Sequence, residues 1–365
     1  LGIKRSEVGR SAFCQARQKL DWKAFEFLLG FLCQEFETLH IAKRWKGHRV
    51  LGVDGTRLTL PNCRDTNSED FYPTLEQQKS GQYPFGLLVT AFDVFNGLFV
   101  RGTAKSCNAD ERESLVEMLD HFAAEDLFVL DRGFNGFAFM SEILVNKQHF
   151  LMRLCAGPAV HWEAHVREFL ESGKTSDVFE IDGETYDGYT DEPLKVRLIL
   201  SQAGPEPLLL ATSLLDEKKY SNTELIALYR KRWEIEGAFN RLKNLFNVES
   251  FHARTGNGIL QEIFANLICL SLTSIYTVLA NRRIDRSKRR KYDIYPNFKG
   301  ALSVLRDQLQ VFIEDPRDAE QIRKVLEELE ISIARMVCQR QPDRHYPRVS
   351  KQPLNKWQTN RGTYR

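Results

Sequence analysis

Two aspartates in this sequence directly follow short apolar runs that are typical of buried strands. Asp54 comes after the run VLGV, and Asp131 comes after the run FVL. A carboxylate at the carboxyl end of a buried strand in an open α/β sheet lies where ligands usually bind. A single aspartate in such a position more often begins a turn or caps a helix. Either residue alone therefore gives weak support for a site.

A third acidic residue lies in the helical stretch YRKRWEIEGAFNRLK, which begins at Tyr229. Here Tyr229, Arg232, Glu236 and Lys243 follow one another at spacings of three, four and seven. At about 100° per residue they share one narrow helical stripe, with Trp233 beside it. An exposed face with an Arg232–Glu236 pair is the alternative. The opposite face is already rich in charge, so the second charged stripe indicates a function.

Three carboxylates brought together would form an oxygen cage, which suits Mg²⁺. Two such ions, about 3.5–4 Å apart, can activate an attacking oxygen and stabilise the leaving oxygen of a phosphodiester. In this setting Arg232 and Lys243 would hold phosphates. Trp233 offers a face for an unstacked base, although packing inside the protein explains it equally well.

The motifs DGT at Asp54, DRGF at Asp131 and Y-x2-R-x3-E-x6-K from Tyr229 to Lys243 resemble those of the D-D-E transposases of the insertion-sequence-four family. The resemblance spans roughly residues 49 to 283. It includes a β-rich insertion before the glutamate and implies a ribonuclease-H-like core. The family signature on the helix is highly specific, whereas the two aspartate motifs are less so.

The resemblance also implies a set of functional residues and partners. The implied catalytic and metal-binding residues are Asp54, Asp131 and Glu236, with two Mg²⁺ ions for which Mn²⁺ can substitute. The implied DNA-binding residues are Tyr229, Arg232, Trp233, Lys243 and Arg132. The implied partners are double-stranded DNA, as transposon inverted-repeat ends and as target, and a second copy of the chain in a homodimeric synaptic complex. The implied location is the prokaryotic cytoplasm, at the nucleoid when bound to DNA, with no membrane partner.

The elements that must position these residues alternate between strands and helices. From residue 49 the order is strand, strand, strand, helix, strand, helix, strand, with a hairpin expected at Asn96-Gly97, and this order predicts a mixed α/β sheet. We expect a β-rich insertion and helical flanks around it. The expected segments are a helical N-terminal piece that is truncated (1–48), the first part of the core (49–155), the insertion (156–215), the second part of the core with the glutamate helix (216–285), and a helical C-terminal region with a basic tail (286–365).

Composition narrows the class of protein without deciding the function. Hydrophobic residues make up 42% and charged residues 27%, and the net charge is only +2. Basic residues nevertheless cluster in 282–291 and in 340–365, which suits nucleic acid, although a solvated tail is the alternative. The seven cysteines form no CxxC motif, which argues against a zinc site or a disulfide framework. The apolar stretch 259–280 contains polar residues, so a buried helix is favoured over a membrane span.

Two other functions fit the same residues. A metal-dependent nuclease on this core would cut DNA without strand transfer. An inactive remnant would only bind DNA, although the intact set of three acidic residues argues against it.

Overall fold

The computed structural model describes residues 9–154, 163–181, 193–203, 207–286, 291–314 and 318–339. The predicted basic tail and residues 287–290 of the basic run lie outside these ranges. The main strands are β1 (Val50–Thr59), β2 (Phe85–Asp93), β3 (Leu98–Ser106), β4 (Leu127–Leu130), β5 (His149–Arg153), β6 (Ser176–Ile181), β7 (Leu194–Ser201) and β8 (Leu208–Thr212). A small two-stranded sheet pairs β9 (Ile294–Pro296) with β10 (Val337–Gln339).

Eleven α-helices lie in the described residues and surround the sheet. They are α1 (Arg10–Lys19), α2 (Lys23–Thr38), α3 (Leu75–Lys79), α4 (Glu111–Val116), α5 (Phe137–Val145), α6 (Glu163–Glu171), α7 (Asn222–Tyr229), α8 (Glu234–Asn244), α9 (Gly256–Arg283), α10 (Phe298–Glu314) and α11 (Ala319–Arg335). Short 3-10 turns follow several strands and helices, and two of them shape the candidate site.

The central sheet has eight strands in the order β3-β2-β1-β4-β5-β8-β7-β6. Strands β1, β2 and β3 form an antiparallel meander, while β4 runs parallel to β1 and β5 runs parallel to β4. This five-strand order, with three antiparallel strands followed by two parallel ones, is the ribonuclease-H-like arrangement predicted from the sequence. The predicted mixed α/β fold is therefore confirmed.

The hairpin between β2 and β3 forms where the Asn96-Gly97 pair predicted it. Gly97 has a φ of +76°, which favours glycine, and the Asp93 carboxylate accepts the backbone N–H groups of Phe95 and Asn96. The strands β6, β7 and β8, which fall within 156–215, continue the same sheet because β8 pairs antiparallel with β5.

Side chains alternate between the two faces of the sheet and so divide the core into two layers. Leu51 and Val53 of β1 lie in one hydrophobic cluster with α4 and α5. Val50 lies in a second cluster with α7, α8 and the first half of α9. The same alternation places Asp54 on the face covered by α8, so the fold itself brings this carboxylate towards the helix that carries Glu236.

The apolar stretch at 259–280 forms most of α9, which packs against β3, α2 and α11. By length and composition α9 could cross a membrane, and 50% of its most apolar window is buried within the fold. Several buried positions on this helix are polar, and the Ser271 hydroxyl accepts the backbone N–H of Phe99 at 2.9 Å. In this structure the helix contributes to the core of the domain.

Candidate active site

Asp54 lies in the middle of strand β1, whereas the sequence predicted it at the carboxyl end of a short strand. Strand β1 runs unbroken because β2 pairs with it from Leu51 to Thr59. Its parallel pairing with β4, in contrast, ends at Gly52. Asp54 therefore stands just beyond the point where β1 and β4 separate, and the opening between two diverging strands leaves room for a ligand.

Asp131 follows the last residue of β4 and begins a 3-10 turn, Arg132–Phe134. Its Oδ1 accepts the backbone N–H of Gly133 at 2.7 Å, so the helix-capping role of this residue is present in the structure. The cap holds the half-buried carboxylate at the carboxyl end of β4, next to the opening beside Asp54. Arg132 points its side chain to the solvent.

The helix that carries Glu236 is not the continuous helix predicted from the sequence. Helix α7 begins at a capping box formed by Ser221 and Glu224, and it ends at Tyr229. The chain then tightens into a 3-10 turn, Arg230–Trp233, before α8 places Glu236 in its first turn. Such turns are frequent at helix ends. This one rests on Gly52, where an added Cβ would lie 3.8 Å from the carbonyl oxygen of Arg232.

Arg232 joins two of the predicted acidic residues. Its Nη1 lies 3.5 Å from Oδ2 of Asp54, and its Nη2 lies 3.2 Å from Oε1 of Glu236. The guanidinium is almost fully buried, and its Nε has no hydrogen-bond partner among the described residues. Asp54 is 178 positions from Arg232 along the chain, and Glu236 is 4 positions from it. The structure brings both carboxylates to this one cation.

The carboxylates at this site influence one another electrostatically. Burial raises the pKa of Asp54 to about 6, with Arg232 and the N–H of Gly55 opposing the rise and Asp131 and Glu236 adding to it. Because like charges that are close together disfavour ionisation, these shifts indicate a compact acidic group. The net electrostatic balance favours a further positive charge in the opening.

Glu111, which the sequence analysis did not single out, belongs to the same acidic group. Burial, together with the negative charges of Asp54 and Asp131, raises the pKa of Glu111 to about 7. Its carboxylate lies against Gly55, where an added Cβ would approach Oε1 of Glu111 to 2.2 Å. The sequence signal for Glu111 is a glutamate in the first turn of the helix that follows the third strand. Its contact with Gly55 can be recognised only in the three-dimensional structure.

The remaining predicted DNA-binding residues differ in exposure. Trp233 is 60% exposed, and its ring lies 5.3 Å from Cζ of Arg232. Tyr229 is buried, which raises the pKa of its hydroxyl, and the nearby Arg232 opposes that rise. Lys243 donates to the backbone carbonyl of Arg57 at 2.6 Å, farther along β1. The structure thus groups Tyr229, Arg232 and Trp233, while Lys243 lies two turns later on α8 and contacts β1 beyond Asp54.

The chemistry of the donors fits a hard divalent cation, because the acidic group offers only carboxylate oxygens. The Arg232 guanidinium already acts as a cation between Asp54 and Glu236 and shows that a positive charge fits there. Asp131 and Glu111, whose negative charges act on one another, supply further carboxylate oxygens. The residues present are therefore suited to Mg²⁺ or to an ion of similar chemistry.

A second group of potential metal ligands lies at the opposite end of the parallel strands. Donor atoms of His48, Glu125 and His149 lie within 4.8 Å of one another. His48 Nδ1 lies 2.7 Å from the carbonyl oxygen of Glu125, and its Nε2 lies 2.7 Å from the Tyr220 hydroxyl. His149 Nε2 lies 3.2 Å from the Glu125 carboxylate. The group can hold a metal only by giving up hydrogen bonds that it already makes.

The sheet topology defines the class of this protein as a ribonuclease-H-like domain with acidic residues where the parallel strands diverge. A family model described as the transposase DDE domain matches residues 45–272. The match covers more than half of the chain, and the chain therefore belongs to the DDE transposase domain family. Membership of this family implies the use of a divalent metal.

The chain is similar to transposases of bacterial insertion sequences. It is 21% identical to transposase InsG for insertion sequence element IS4 of Escherichia coli strain K12, with 73% of this chain and 61% of the relative aligned. It is 26% identical to the transposase for insertion sequence element IS421 of Escherichia coli, with 45% of this chain and 54% of the relative aligned. It thus spans less than two thirds of the length of these relatives. Among solved structures, a piggyBac transposase synaptic complex with hairpin DNA aligns with a TM-score of 0.43 and 14% identity, over 77% of this chain and 57% of that chain.

Proposed function

We propose that this chain is the catalytic part of a transposase that cuts double-stranded DNA at transposon inverted-repeat ends and joins those ends to target DNA. Family membership supports this class of reaction. The observation that carries the assignment of the site is the buried Arg232, which contacts both Asp54 and Glu236. A buried charge is retained only when it is paired, so the contact argues that these carboxylates belong to one centre.

We assign the metal to Asp54, Asp131 and Glu236, and we propose two Mg²⁺ ions, for which Mn²⁺ can substitute. When bound, such ions activate the attacking oxygen and stabilise the leaving oxygen of the phosphodiester. The protein contributes by holding its carboxylates in place before substrate arrives. Arg232 orients two of them, and the N–H of Gly133 orients Asp131.

DNA contacts are proposed for the exposed side chains around this opening. Trp233 presents a solvent-facing indole on which an unstacked base can rest, a contact worth about 1–3 kcal/mol in other proteins. Arg132 is exposed directly beside Asp131 and can hold a phosphate. Arg232 can do the same from the buried side of the opening.

Two residues are proposed to act mainly by positioning their neighbours for DNA. Tyr229 is buried beside Arg232 and limits the directions that the guanidinium can take. Lys243 is held by the carbonyl of Arg57, and this contact fixes a positive charge along β1. A fixed charge near a phosphate path strengthens binding and its dependence on salt.

The partners and location follow from the same proposal. We propose a homodimer in the synaptic complex, action in the bacterial cytoplasm with nucleoid association on DNA, and no membrane partner. We propose a catalytic core in two parts, 49–155 and 216–285, interrupted by 156–215. The extension of the sheet by β6, β7 and β8 supports a rigid connection between the interruption and the core.

The decisive experiment is a Mg²⁺-dependent nicking assay on DNA that carries the inverted repeats flanking the gene. We expect Glu236→Gln to lower the nicking rate on the order of 10³-fold, because it removes a negatively charged ligand that would hold the metal at the reacting phosphate. Glu234→Gln is the matched control, since Glu234 lies in the same turn and pairs with Lys231 at 3.8 Å. Equal nicking by wild type and Glu236→Gln would contradict the proposed site.

A metal-dependent nuclease without strand transfer is the second candidate, because the same acidic residues serve both reactions. A pre-cut transposon end with a free 3′-hydroxyl separates the two functions. A transposase joins this end to a target plasmid, whereas a nuclease leaves it unjoined while still nicking DNA. An inactive remnant does neither.

A further inference from the structure

The candidate metal site has a carboxylate that the family resemblance did not supply. Glu111 opens α4, which follows β3, and its helix lies on the face of the sheet opposite to α8. Asp54 is approached by Arg232 and Glu236 from the α8 side. Glu111 approaches the next residue of the same strand, Gly55, from the other side.

The register of α4 aims Glu111 inward. Leu115 lies four residues later on the same helical face and is fully buried, and Ser114, three residues later, is also buried. The first turn is fixed by Asp110, whose carboxylate accepts the backbone N–H groups of Arg112 and Glu113. The helix therefore cannot rotate Glu111 into solvent without losing both its cap and its core contact.

The charge of Glu111 is left without compensation. Arg112, the adjacent cation, pairs with Asp110 at 3.1 Å and donates to the carbonyl of Asn135 instead. The structure records no hydrogen bond or ion pair for the Glu111 carboxylate within the described ranges. A half-buried carboxylate that faces two other carboxylates is unfavourable unless a cation joins them.

An open cleft lies where such a cation would be needed. It has a volume of about 450 Å³ and is lined by Gly55, Glu111 and Gly133, together with Arg57 and Cys107. Gly55 directly follows Asp54, and the N–H of Gly133 binds Asp131. The cleft thus touches the backbone beside both strand-borne aspartates and has space for an ion, its waters and a phosphate.

We propose that Glu111 is a fourth acidic ligand of the metal site, shared with Asp54 and Asp131, and that glycine at position 55 is required to admit it. The proposal rests on the proposed function, because it assumes that the acidic group binds a divalent cation. It adds a residue from a different element and the opposite face of the sheet. It also gives Gly55 a specific role, since a Cβ there would lie 2.2 Å from Oε1 of Glu111.

The test measures Mn²⁺ binding to the purified chain by titration calorimetry and by the loss of the free-ion electron paramagnetic resonance signal. We expect Glu111→Gln to weaken binding of at least one ion about 10–100-fold, the range seen when groups that support a metal are removed. Glu113→Gln is the matched control, because Glu113 lies in the same turn and is exposed. It should bind Mn²⁺ like the wild type.

Gly55→Ala provides an independent variant that keeps every carboxylate. We expect it to weaken Mn²⁺ binding to a similar extent, and the double variant Gly55→Ala/Glu111→Gln to be no weaker than the more affected single variant. Melting temperatures in metal-free buffer separate this effect from misfolding. Glu111→Gln should melt no lower than wild type, because it removes an uncompensated charge.

The outcomes distinguish this proposal from the proposed function. If Asp54→Asn weakens Mn²⁺ binding and Glu111→Gln leaves affinity and stoichiometry unchanged, the fourth ligand is excluded while the acidic site stands. If neither variant changes Mn²⁺ binding, the metal site as a whole is wrong. Weakening by both, with Glu113→Gln unaffected, supports the proposal.

Discussion

Titratable side chains cluster at both ends of the parallel strands, but their charges are balanced at one end and unbalanced at the other. At the amino end, both ring nitrogens of His48 have partners, and the buried Asp126 is paired with Arg49. At the carboxyl end, several carboxylates meet near one buried guanidinium, that of Arg232. The hydrogen bonds and charges of the first group are satisfied within the protein. The negative charge of the second group is balanced only when further positive charge is added.

This difference separates groups that stabilise the fold from groups that serve a ligand. Removing any member of a closed hydrogen-bond network lowers the free energy of unfolding. A cluster with excess negative charge gains stability when one of its members is neutralised, and it loses function at the same time. Variants at the amino end should therefore lower stability and leave activity unchanged. Variants at the carboxyl end should lower activity and leave stability unchanged or higher.

The largest effect is expected for Asp54→Asn at the carboxyl end. Nicking in Mg²⁺ should fall on the order of 10³-fold, because the variant removes a negatively charged ligand that would hold the metal at the reacting phosphate. The free energy of unfolding in metal-free buffer should stay constant or rise, since burial and like charges oppose ionisation of Asp54. A variant that lost activity only because it unfolded at the assay temperature would contradict this account.

The complementary change is His48→Ala at the amino end. It leaves the Tyr220 hydroxyl and the carbonyl of Glu125 without their partner, and such losses cost about 1–3 kcal/mol when the groups are buried. Chemical denaturation should record this loss, while nicking per folded molecule should remain at the wild-type rate. His121→Ala, at the end of the 3-10 turn Leu119–His121 and exposed to solvent, serves as the control.

The pH dependence of stability sharpens the comparison. The pKa values of Asp54 and Glu111 are raised to about 6 and about 7, above their ordinary values of 3.8 and 4.5. The folded chain therefore holds these protons more tightly than the unfolded chain. The stabilising contribution is complete below about pH 4 and is lost as the pH rises through 6 to 7.

We expect the metal-free chain to lose on the order of 1 kcal/mol between pH 4 and 7.5 relative to the double variant Asp54→Asn/Glu111→Gln, after allowance for solvent screening. Denaturant titrations at several pH values, with a chelator present, measure the difference. Parallel curves for the two proteins would mean that these carboxylates titrate normally.

The smallest effect is expected for Arg232→Ala. Loss of one phosphate contact should weaken DNA binding several-fold and reduce the slope of log affinity against log salt by about 0.9. Fluorescence anisotropy at several salt concentrations measures the slope. Lys324→Ala on α11 is the control, since Lys324 is exposed and pairs with Glu320 at 3.1 Å. An unaltered slope for Arg232→Ala would remove this residue from the DNA contacts.

Local patterns predicted the positions of several core elements of the fold. The apolar runs before Asp54 and Asp131 marked β1 and β4, and Asn96-Gly97 marked the hairpin. These features depend on residues that are adjacent in the chain. The order of elements along the chain indicated a mixed sheet, whereas the ribonuclease-H-like strand order was expected only from the family resemblance.

Features that depend on packing between distant segments could not be predicted from the sequence. The break in the helix at Arg230–Trp233 lies where Arg232 packs against Gly52, which is far away in the sequence. The unbroken course of β1 follows from its long pairing with β2. The contribution of Glu111 follows from a glycine more than fifty positions earlier, and a single sequence gives no sign that these two residues meet.

The contact of Arg232 with Asp54 and Glu236 has a consequence for the order of events on DNA. Its guanidinium contacts one oxygen of each carboxylate, Oδ2 of Asp54 and Oε1 of Glu236, so a divalent ion bound there would either share these carboxylates with the arginine or displace it. A displaced arginine side chain would lie next to the exposed indole of Trp233, where an unstacked base is proposed to rest. Binding of a metal ion to the carboxylates and release of the arginine to bind a phosphate would then result from the same exchange of one cation for another.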